Sequence, residues 1–424
     1  MTMQFDVAVI GAGPAGLSFA RALSGAGLRI ALVERAPEAG LAAPAYDGRE
    51  IALTHRSVGL LRALGAWDRI PAEEVSPLRE ARVLNGKSGF ALRFAPEDAA
   101  DPGATGPDRL GQLVPNHRIR RALFEATAGL PDVTLLAGTR VVGSGAGPRG
   151  ARLRLEGGAS AGPEELHARL IVAADTRLSE TRRRHGIGAF VRDFGQAMLV
   201  CRVAHERPHG GVATEWFGHG QTIAMLPLNG DLSSAVVTLP APAIERLRTL
   251  EPGAFGAELA RRYGHRLGAM RLAGTRHAYP LVATYAHRFV AKRLALVGDA
   301  AVGMHPVTAH GFNLGLRGAH ALAQEIRAAL ARGGDVADPA ALRRYEAGHR
   351  LATGPLFAAT NAIAGLYTDE RLPARALRHA VLRLGAALPP VRRLVAEHLM
   401  ETGAPSPRPY PGLPSARGLT RIGA

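Results

Sequence analysis

Cysteine is almost missing. Cys201 stands alone in 424 residues, which excludes an intrachain disulfide and a thiolate zinc centre and fits a reducing cytosol. Lysine is nearly as scarce: Lys87 and Lys292 are the two, so arginine makes up the rest of the 52 basic residues. No run of 18 uninterrupted apolar residues occurs, which predicts no membrane-spanning helix. The first apolar strand begins near Phe5, leaving no room for the charged and apolar regions of a signal peptide. Aromatic residues are only 5% and no nucleic-acid motif is present, so nucleic acid is not the expected partner. No internal repeat is visible. His205 and His209 stand four apart, but Pro208 between them opposes the helix that a two-histidine metal site would need.

What is present is a globular composition, 47% hydrophobic and 21% charged, long enough for two or three packed units. The net charge of +16 favours anionic lipid or acidic ligands, and arginine suits bidentate phosphate contacts. Genomic base composition accounts for the same excess equally well.

Short apolar runs at 5–10 (FDVAVI) and 29–34 (RIALVE) flank a helix expected over 14–26, a βαβ unit at the N-terminus. Helices are predicted at 54–64 and 116–129, and strands at 133–142 and 169–174. From 186 to 240 the runs MLVCRVA, GVATEWF, TIAMLPL and SAVVTLP alternate with turn residues, as an antiparallel sheet would. A helix near 242–265, a buried strand at 294–298, a long helix from 311 and helical chain from 339 to 402 complete the pattern. Gly/Ala/Pro-rich stretches at 96–108, 143–150 and 157–163 read as loops. The tail from Gly403 holds five prolines and is expected to be extended or disordered.

Two motifs carry chemistry. Gly11, Gly13 and Gly16 form GxGxxG between a strand and a helix. The spacing allows a tight turn, approach of backbone to a pyrophosphate, and close helix–strand packing, with the helix N-terminus facing the phosphates. Pro14 and Ala15 lie in the same turn. Glu34 ends the second strand, where a carboxylate can accept from ribose hydroxyls, and Arg35 follows it. The second motif is LALVGDAAVGMHPVTAHGFNLGLRGA, residues 294–319. Asp299, after Gly298, can bond a ribityl hydroxyl. Gly311, Phe312 and Asn313 open a helix whose NH groups can stabilise charge on the N1–C2=O edge of a reduced flavin.

Together with the strings DGREIALTHRSVGLLRALG, LVPNHRIRRALF, RRRHGIGAFVRDFGQAMLVCRV and HERPHGGVATEWF, these motifs resemble the group A flavoprotein hydroxylases, related to para-hydroxybenzoate hydroxylase. Within that group the chain looks most like the ubiquinone-biosynthesis hydroxylases, in particular the branch acting on 5-demethoxyubiquinol. The resemblance spans residues 5 to about 350. It implies an α/β fold in which a Rossmann-like FAD-binding domain (1–75, 110–185 and 285–340) is interleaved with an antiparallel β-sheet substrate domain (76–109 and 186–284). A C-terminal helical region (341–402) and a flexible tail (403–424) follow. It also implies FAD as cofactor and NAD(P)H as electron donor, with O2 adding to the flavin so that a C4a-hydroperoxide hydroxylates an electron-rich ring. The implied substrate is a prenylated phenol or quinol. The absence of a Ser/His/Asp or metal constellation agrees with chemistry supplied by a cofactor. A basic protein with an apolar-tailed substrate suits the inner, anionic face of a membrane; residues 340–402 are the expected dock or homo-oligomer surface, or the contact within a quinone-biosynthesis complex.

Position by position, the resemblance implies that Arg49 contacts the cofactor near its pyrophosphate, that Asn116 and Arg121 border the flavin, and that Asp175 belongs to an Asp-Gly turn. Here Thr176 replaces that glycine, and a threonine resists positive φ, so an altered turn is expected; Arg182 keeps the later arginine position. His310 stands where the family has glutamine. His305 and Pro306 belong to a loop passing over the flavin. His305, Pro306 and His310 are the candidate catalytic positions, His310 as proton donor or substrate contact or else a histidine satisfied by backbone. Leu226 and Pro227 match the substrate-domain strand over the ring. Trp216 and Phe217 lie on an alternating strand and read as sheet packing before a substrate wall, with Phe217 kept as the substrate candidate. Three other readings stay open: a different flavoenzyme chemistry, a hydroxylase of a soluble aromatic, and a non-catalytic flavoprotein scaffold. The Trp-x-Trp-x-Ile-Pro string of halogenases with this fold is absent.

Overall fold

The structure, a computed structural model, describes residues 2–86, 88–99, 107–148, 150–157, 164–218, 220–305, 310–368, 371–402 and Tyr410. Eleven α-helices occur among the described residues. They are α1 (Pro14–Leu23), α2 (Glu38–Ala42), α3 (His55–Ala63), α4 (Asn116–Thr127), α5 (Glu180–Arg184), α6 (Ala241–Thr249), α7 (Pro252–Arg262), α8 (Gly311–Ala331), α9 (Pro339–Thr368), α10 (Leu372–Ala387) and α11 (Pro389–Met400).

The apolar runs that lack alternation become central strands buried on both faces, as parallel strands between helices must be. Thr2–Ile10 lies parallel to Glu164–Ala173 on one side and to Ile30–Val33 on the other. Leu294–Leu296 and Val133–Leu136 extend this parallel core outward. Thr139–Ala146 and Ala151–Gly157 add an antiparallel flap on Glu164–Ala173. α1 packs between α8 and α4, and Val7, Val9, Phe19, Leu32, Ile171 and Ile326 are buried in the shared core.

The second sheet follows the alternating runs. Its order is Val302–Gly303, His277–Ala286, Ala189–His205, Leu232–Pro240, Gln221–Pro227, Val212–Gly218, Glu80–Asn85, Ala91–Phe94. Period-two alternation gives it two different faces. Leu199, Cys201, Val203, Ile223, Met225, Ala235 and Val237 turn to α6 and α7 and form a separate core with Phe255 and Leu259. The opposite face meets α10 and α11 at the Glu80–Phe94 corner, where Leu92 and Phe94 pack with Leu382. A small sheet of Glu50–Leu53, Gly111–Pro115 and Ser76–Leu78 lies in the chain between the two large ones.

Several boundaries differ from the sequence reading. The helix expected over 242–265 is two, because Pro252 starts a new helix after Leu250. The strand expected over 133–142 is broken at Gly138, whose φ is +66°. Residues 143–146, read as loop, continue the strand paired with 151–154. The sheet read as antiparallel contains one parallel pair, Val212–Phe217 with Glu80–Asn85, since the latter strand enters from far upstream. The tail call falls outside the described residues except for Tyr410, which is buried and donates its NH to the Ala63 carbonyl.

A β-carbon on Gly16 would lie 1.9 Å from the Gly11 carbonyl oxygen, so α1 rests directly on the turn before it. Gly16→Ala is expected to destabilise the protein by about 1–3 kcal/mol, read as a lower urea midpoint. An unchanged midpoint would show that α1 is not seated there.

Candidate active site

The sequence motifs converge at the C-terminal ends of the parallel strands, where open α/β sheets bind ligands. Gly11 has φ +103°, and a β-carbon there would meet the Ala174 carbonyl at 2.6 Å. Gly298, with φ +59°, lies so close to α1 that its β-carbon would stand 2.7 Å from that of Ala15. Gly315 in turn faces Gly298: a β-carbon built on it would lie 3.4 Å from the Gly298 Cα. Three segments separated by up to 300 residues therefore meet through positions that lack side chains. Gly13 points into open space, with nothing within 4 Å of a β-carbon built there. The Glu34 carboxylate is fixed at the turn, accepting from the NH groups of Ala12 and Ala36, both at 2.8 Å. Arg35 beside it is exposed. A dinucleotide fits this arrangement: the glycines leave the backbone bare at the first turn of α1, and Glu34 is held in place. One oxygen of the half-buried Asp175 carboxylate, next to Gly11, is itself buried with no hydrogen-bond partner among the described residues.

The Thr176 departure is absorbed locally. Thr176 is not among the residues with positive φ, and its carbonyl closes the turn by accepting from Ser179 NH at 2.9 Å. Arg177, within the turn, pairs with Asp299 at 3.2 Å and donates to the Val282 carbonyl. Arg182 is buried and donates to the carbonyls of Arg177 and Ala300, so its role in the fold is to hold this turn against the strand end.

A second polar group surrounds the Asp47–Gly48 turn. Arg49 and Asn116 both donate to Asp47, at 2.5 and 2.7 Å, and Arg49 lies over the Tyr279 ring. Burial would raise the Asp47 carboxyl, but Arg49 and Asn116 outweigh it and hold it below the usual range. Behind it, the fully buried Glu50 carboxylate meets Arg202 of the second sheet at 2.8 Å. Arg202 also reaches Glu74, which Arg118 of α4 holds at 2.7 Å. Burial pushes Glu50 up to about 7 despite Arg202.

Between these groups and the second sheet lies a small, largely apolar cavity of about 50 Å³. Ala52, Thr54, Ala81, His310, Asn313 and Leu399 line it. Asn313 clamps α8 to the Glu50–Leu53 strand: its amide donates to the Ala52 carbonyl at 2.8 Å and its oxygen accepts from Thr54 NH. His310 caps the start of α8, is buried, and stacks on His398 of α11 at 4.8 Å. Gly311 opens α8, and Phe312 packs on the main core. His305 is buried edge-on against Phe194; burial, with Arg192 nearby, pushes it down to about 4, so it is neutral at pH 7. Pro306 lies outside the described residues.

On the second sheet, register and alternation put Glu215, Phe217 and Leu226 on the face opposite α6 and α7, and Pro227 on the other face beside Met225. Phe217 is buried. Trp216 packs towards Tyr263 and donates to the Gly86 carbonyl, in agreement with a packing role. Arg121 sits apart from the rest, on the exposed side of α4, paired with Glu125 four residues on; its helical phase, one residue from Arg120 and five from Asn116, turns it away.

Sequence reasoning missed Glu215, Glu50, Arg202 and Leu399. Burial pushes the Glu215 carboxyl up to about 8, so at pH 7 it is a neutral hydrogen-bond donor. A signal for it existed: in VATEWF an acid alternates in phase with the buried Phe217. Glu50 and Arg202, 152 residues apart, offered none.

The FAD-binding domain family profile matches residues 4–354. The chain is 45% identical over 400 residues to the ubiquinone hydroxylase UbiM of Neisseria meningitidis serogroup C, covering 94% of this chain and 85% of that one. It is 30% identical over 344 residues to the 3-demethoxyubiquinol 3-hydroxylase of Escherichia coli K12, covering 80% and 84%. Among solved structures, p-nitrophenol 4-monooxygenase PnpA of Pseudomonas putida superposes with a TM-score of 0.73, covering 94% of this chain and 98% of that one, at 19% identity; that likeness bears on the fold.

The raised Glu50 value has a defined sign. Its folded value lies above the unfolded one, so its contribution to stability is present at low pH and is lost as pH rises through about 7. The melting temperature of the wild type relative to Glu50→Gln is therefore expected to fall between about pH 5 and about pH 8.5. A constant difference across that range would mean that Glu50 does not titrate there.

Proposed function

The chain belongs to the FAD-binding domain family and is an FAD-dependent monooxygenase of the ubiquinone-biosynthesis hydroxylase group; we propose that its substrate is a prenylated quinol, 5-demethoxyubiquinol, hydroxylated on the ring. The observation that carries this reading is the likeness over most of the chain to a ubiquinone hydroxylase and a 3-demethoxyubiquinol 3-hydroxylase; beside the motifs, an apolar cavity of about 50 Å³, smaller than a quinol ring, lies between Asn313 of α8, Ala81 of the second sheet and Leu399. It adjoins the glycine-lined cradle yet holds no metal cluster among the described residues. The names of two relatives, a ubiquinone hydroxylase and a 3-demethoxyubiquinol 3-hydroxylase, support the substrate class.

When bound, FAD supplies the redox chemistry, taking electrons from NAD(P)H and activating O2. The chain's own residues bind, orient and keep the site dry. Gly11, Gly13, Pro14, Ala15 and Gly16 would receive the pyrophosphate at bare backbone, and Glu34 the adenosine ribose. Asp299, positioned by Arg177, would take a ribityl hydroxyl, with Asp175 at the same strand edge. Arg49 and Asn116, joined through Asp47, form one unit beside the cradle. Asn313 sets where the first turn of α8 presents its NH groups. His305 is neutral and desolvated, so it acts as a polar wall rather than a cation. Glu215 is placed on the sheet face that Ala81 shares, where a neutral carboxyl can donate to a quinol oxygen. The ring's own phenolic oxygens provide its electron density, so a strong protein base is not required.

The reading is tested with the FAD-loaded chain, NADH and a short-tailed 5-demethoxyubiquinol under air, with phenolic acids in parallel. Gain of one oxygen by the quinol is expected; NADH consumption coupled only to a phenolic acid would replace the quinol reading with a soluble aromatic. Asp299→Ala is expected to lose bound FAD, measured by flavin absorbance, and full retention would remove Asp299 from the cofactor set. His310→Gln should retain FAD and change the ratio of product to NADH consumed. An unchanged ratio would leave His310 as a packing partner of His398.

A further inference from the structure

α10 and α11 carry large apolar side chains on both their inner and their outer sides. Their inner side is the cover of the second sheet: Leu382, Ala386, Val395 and Leu399 pack with Leu92 and Phe94. Their outer side is apolar as well. Leu377, Val381 and Leu384 recur at i, i+4 and i+7, one stripe of α10, Leu388 follows just past its end, and all four are exposed, Leu384 by 60%. Val391 and Leu394 continue the exposed set on α11, Leu394 by 68%. A run of exposed large aliphatic side chains of this extent marks an interaction surface.

Cations outnumber acids around it: Arg371, Arg383 and Arg393 are exposed against Glu397, while Arg378 is buried. Residues 371–396 contain six arginines (371, 375, 378, 383, 392 and 393) and no aspartate or glutamate. Arg383 lies over the Phe90 ring and Arg393 reaches Glu397. Apolar side chains on one face with arginine at the margins is the composition that lies in the interface of an anionic bilayer, the aliphatic groups in the acyl boundary and the cations among the headgroups. No helix among the described residues is long and apolar enough to cross a membrane, so such contact would be peripheral.

We propose that the outer face of α10 and α11 docks on an anionic lipid bilayer, and that the hairpin thereby joins the membrane to the cavity it covers. Leu399 lines the cavity from α11, and His398 beside it stacks on His310. The exposed Leu394 and the cavity-lining Leu399 are carried by the same helix, α11. This deepens the reading of a prenylated quinol as substrate and rests on it: a substrate whose apolar tail stays in the bilayer needs a short path for its ring to the cofactor cradle.

The test uses the full-length, FAD-loaded chain and vesicles of phosphatidylcholine alone or mixed with phosphatidylglycerol. Flotation with the phosphatidylglycerol vesicles is expected, weakened by salt. Leu384→Asp with Leu394→Asp should lower the floated fraction at least tenfold. The same double variant should keep its FAD content and its rate on a tailless, water-soluble quinol, because both side chains are on the solvent side. Failure of the wild type to float, or equal flotation of the variant, would overturn the docking. So would a dimer in vesicle-free solution that the double variant dissociates, since the face would then belong to a second copy. If flotation follows expectation but neither a tailed nor a tailless quinol is hydroxylated, the docking stands and the substrate reading fails.

Discussion

The approach of three backbones at one point constrains everything else in the molecule. The Gly11 turn, the first turn of α1 and the Gly298 strand end are packed so closely that a single β-carbon at residue 11, 16 or 298 would stand within 1.9–2.7 Å of a neighbouring atom. No side chain can fill that junction, so polar backbone there faces outward, to a ligand or to water. The cofactor cradle is thus produced by the packing that closes the first domain's core. Loss of either one disturbs the other.

The second sheet is tied to this cradle by ions rather than by apolar packing alone. Glu50, Arg202, Glu74 and Arg118 run from the strand behind Arg49, through the second sheet, to α4. A buried charged chain of this kind contributes little net stability once desolvation is included, and the raised value of Glu50 shows that cost directly. What it fixes is position. Glu50 follows Arg49, and Asn116 starts the helix that carries Arg118, so the same short segments that meet at Asp47 also hold the sheet that carries Glu215. Cofactor side and substrate side are registered to each other through a few directional contacts.

Legibility in the sequence followed the range of the interactions. The βαβ unit, GxGxxG, Glu34 and the strand ending at Gly298 are local patterns of apolar periodicity and glycine, and each lies where the pattern placed it. The helix break at Pro252 and the strand break at Gly138 are written in the chain as a proline and a glycine. The face assignments of Leu226 and Pro227 needed strand register, which no single strand reveals. Arg121 was assigned by position within a motif, and helical phase then set it on the solvent side. The Glu50–Arg202 pair spans 152 residues and has no local signature. At Thr176 the backbone avoids positive φ, as the side chain predicts.

The C-terminal helices show why a motif-based reading stops short of the substrate. The recognisable pattern ends with α8 and the start of α9, and α10 and α11 carry no motif. Yet Leu399 and His398 reach the cavity and the histidine beside it, and Glu401, with φ +49°, brings its carboxylate to Thr54 and Arg317. That contact fastens the end of α11 to α3 and α8, the two helices flanking the clamp made by Asn313. A hairpin whose end is tied to the cofactor side, whose inner face covers the sheet, and whose outer face is apolar is joined to every part of the site at once. The glycine junction comes from residues that the motifs mark, whereas the hairpin over the second sheet is built from residues whose only signal is a stripe of leucine and valine with arginine nearby.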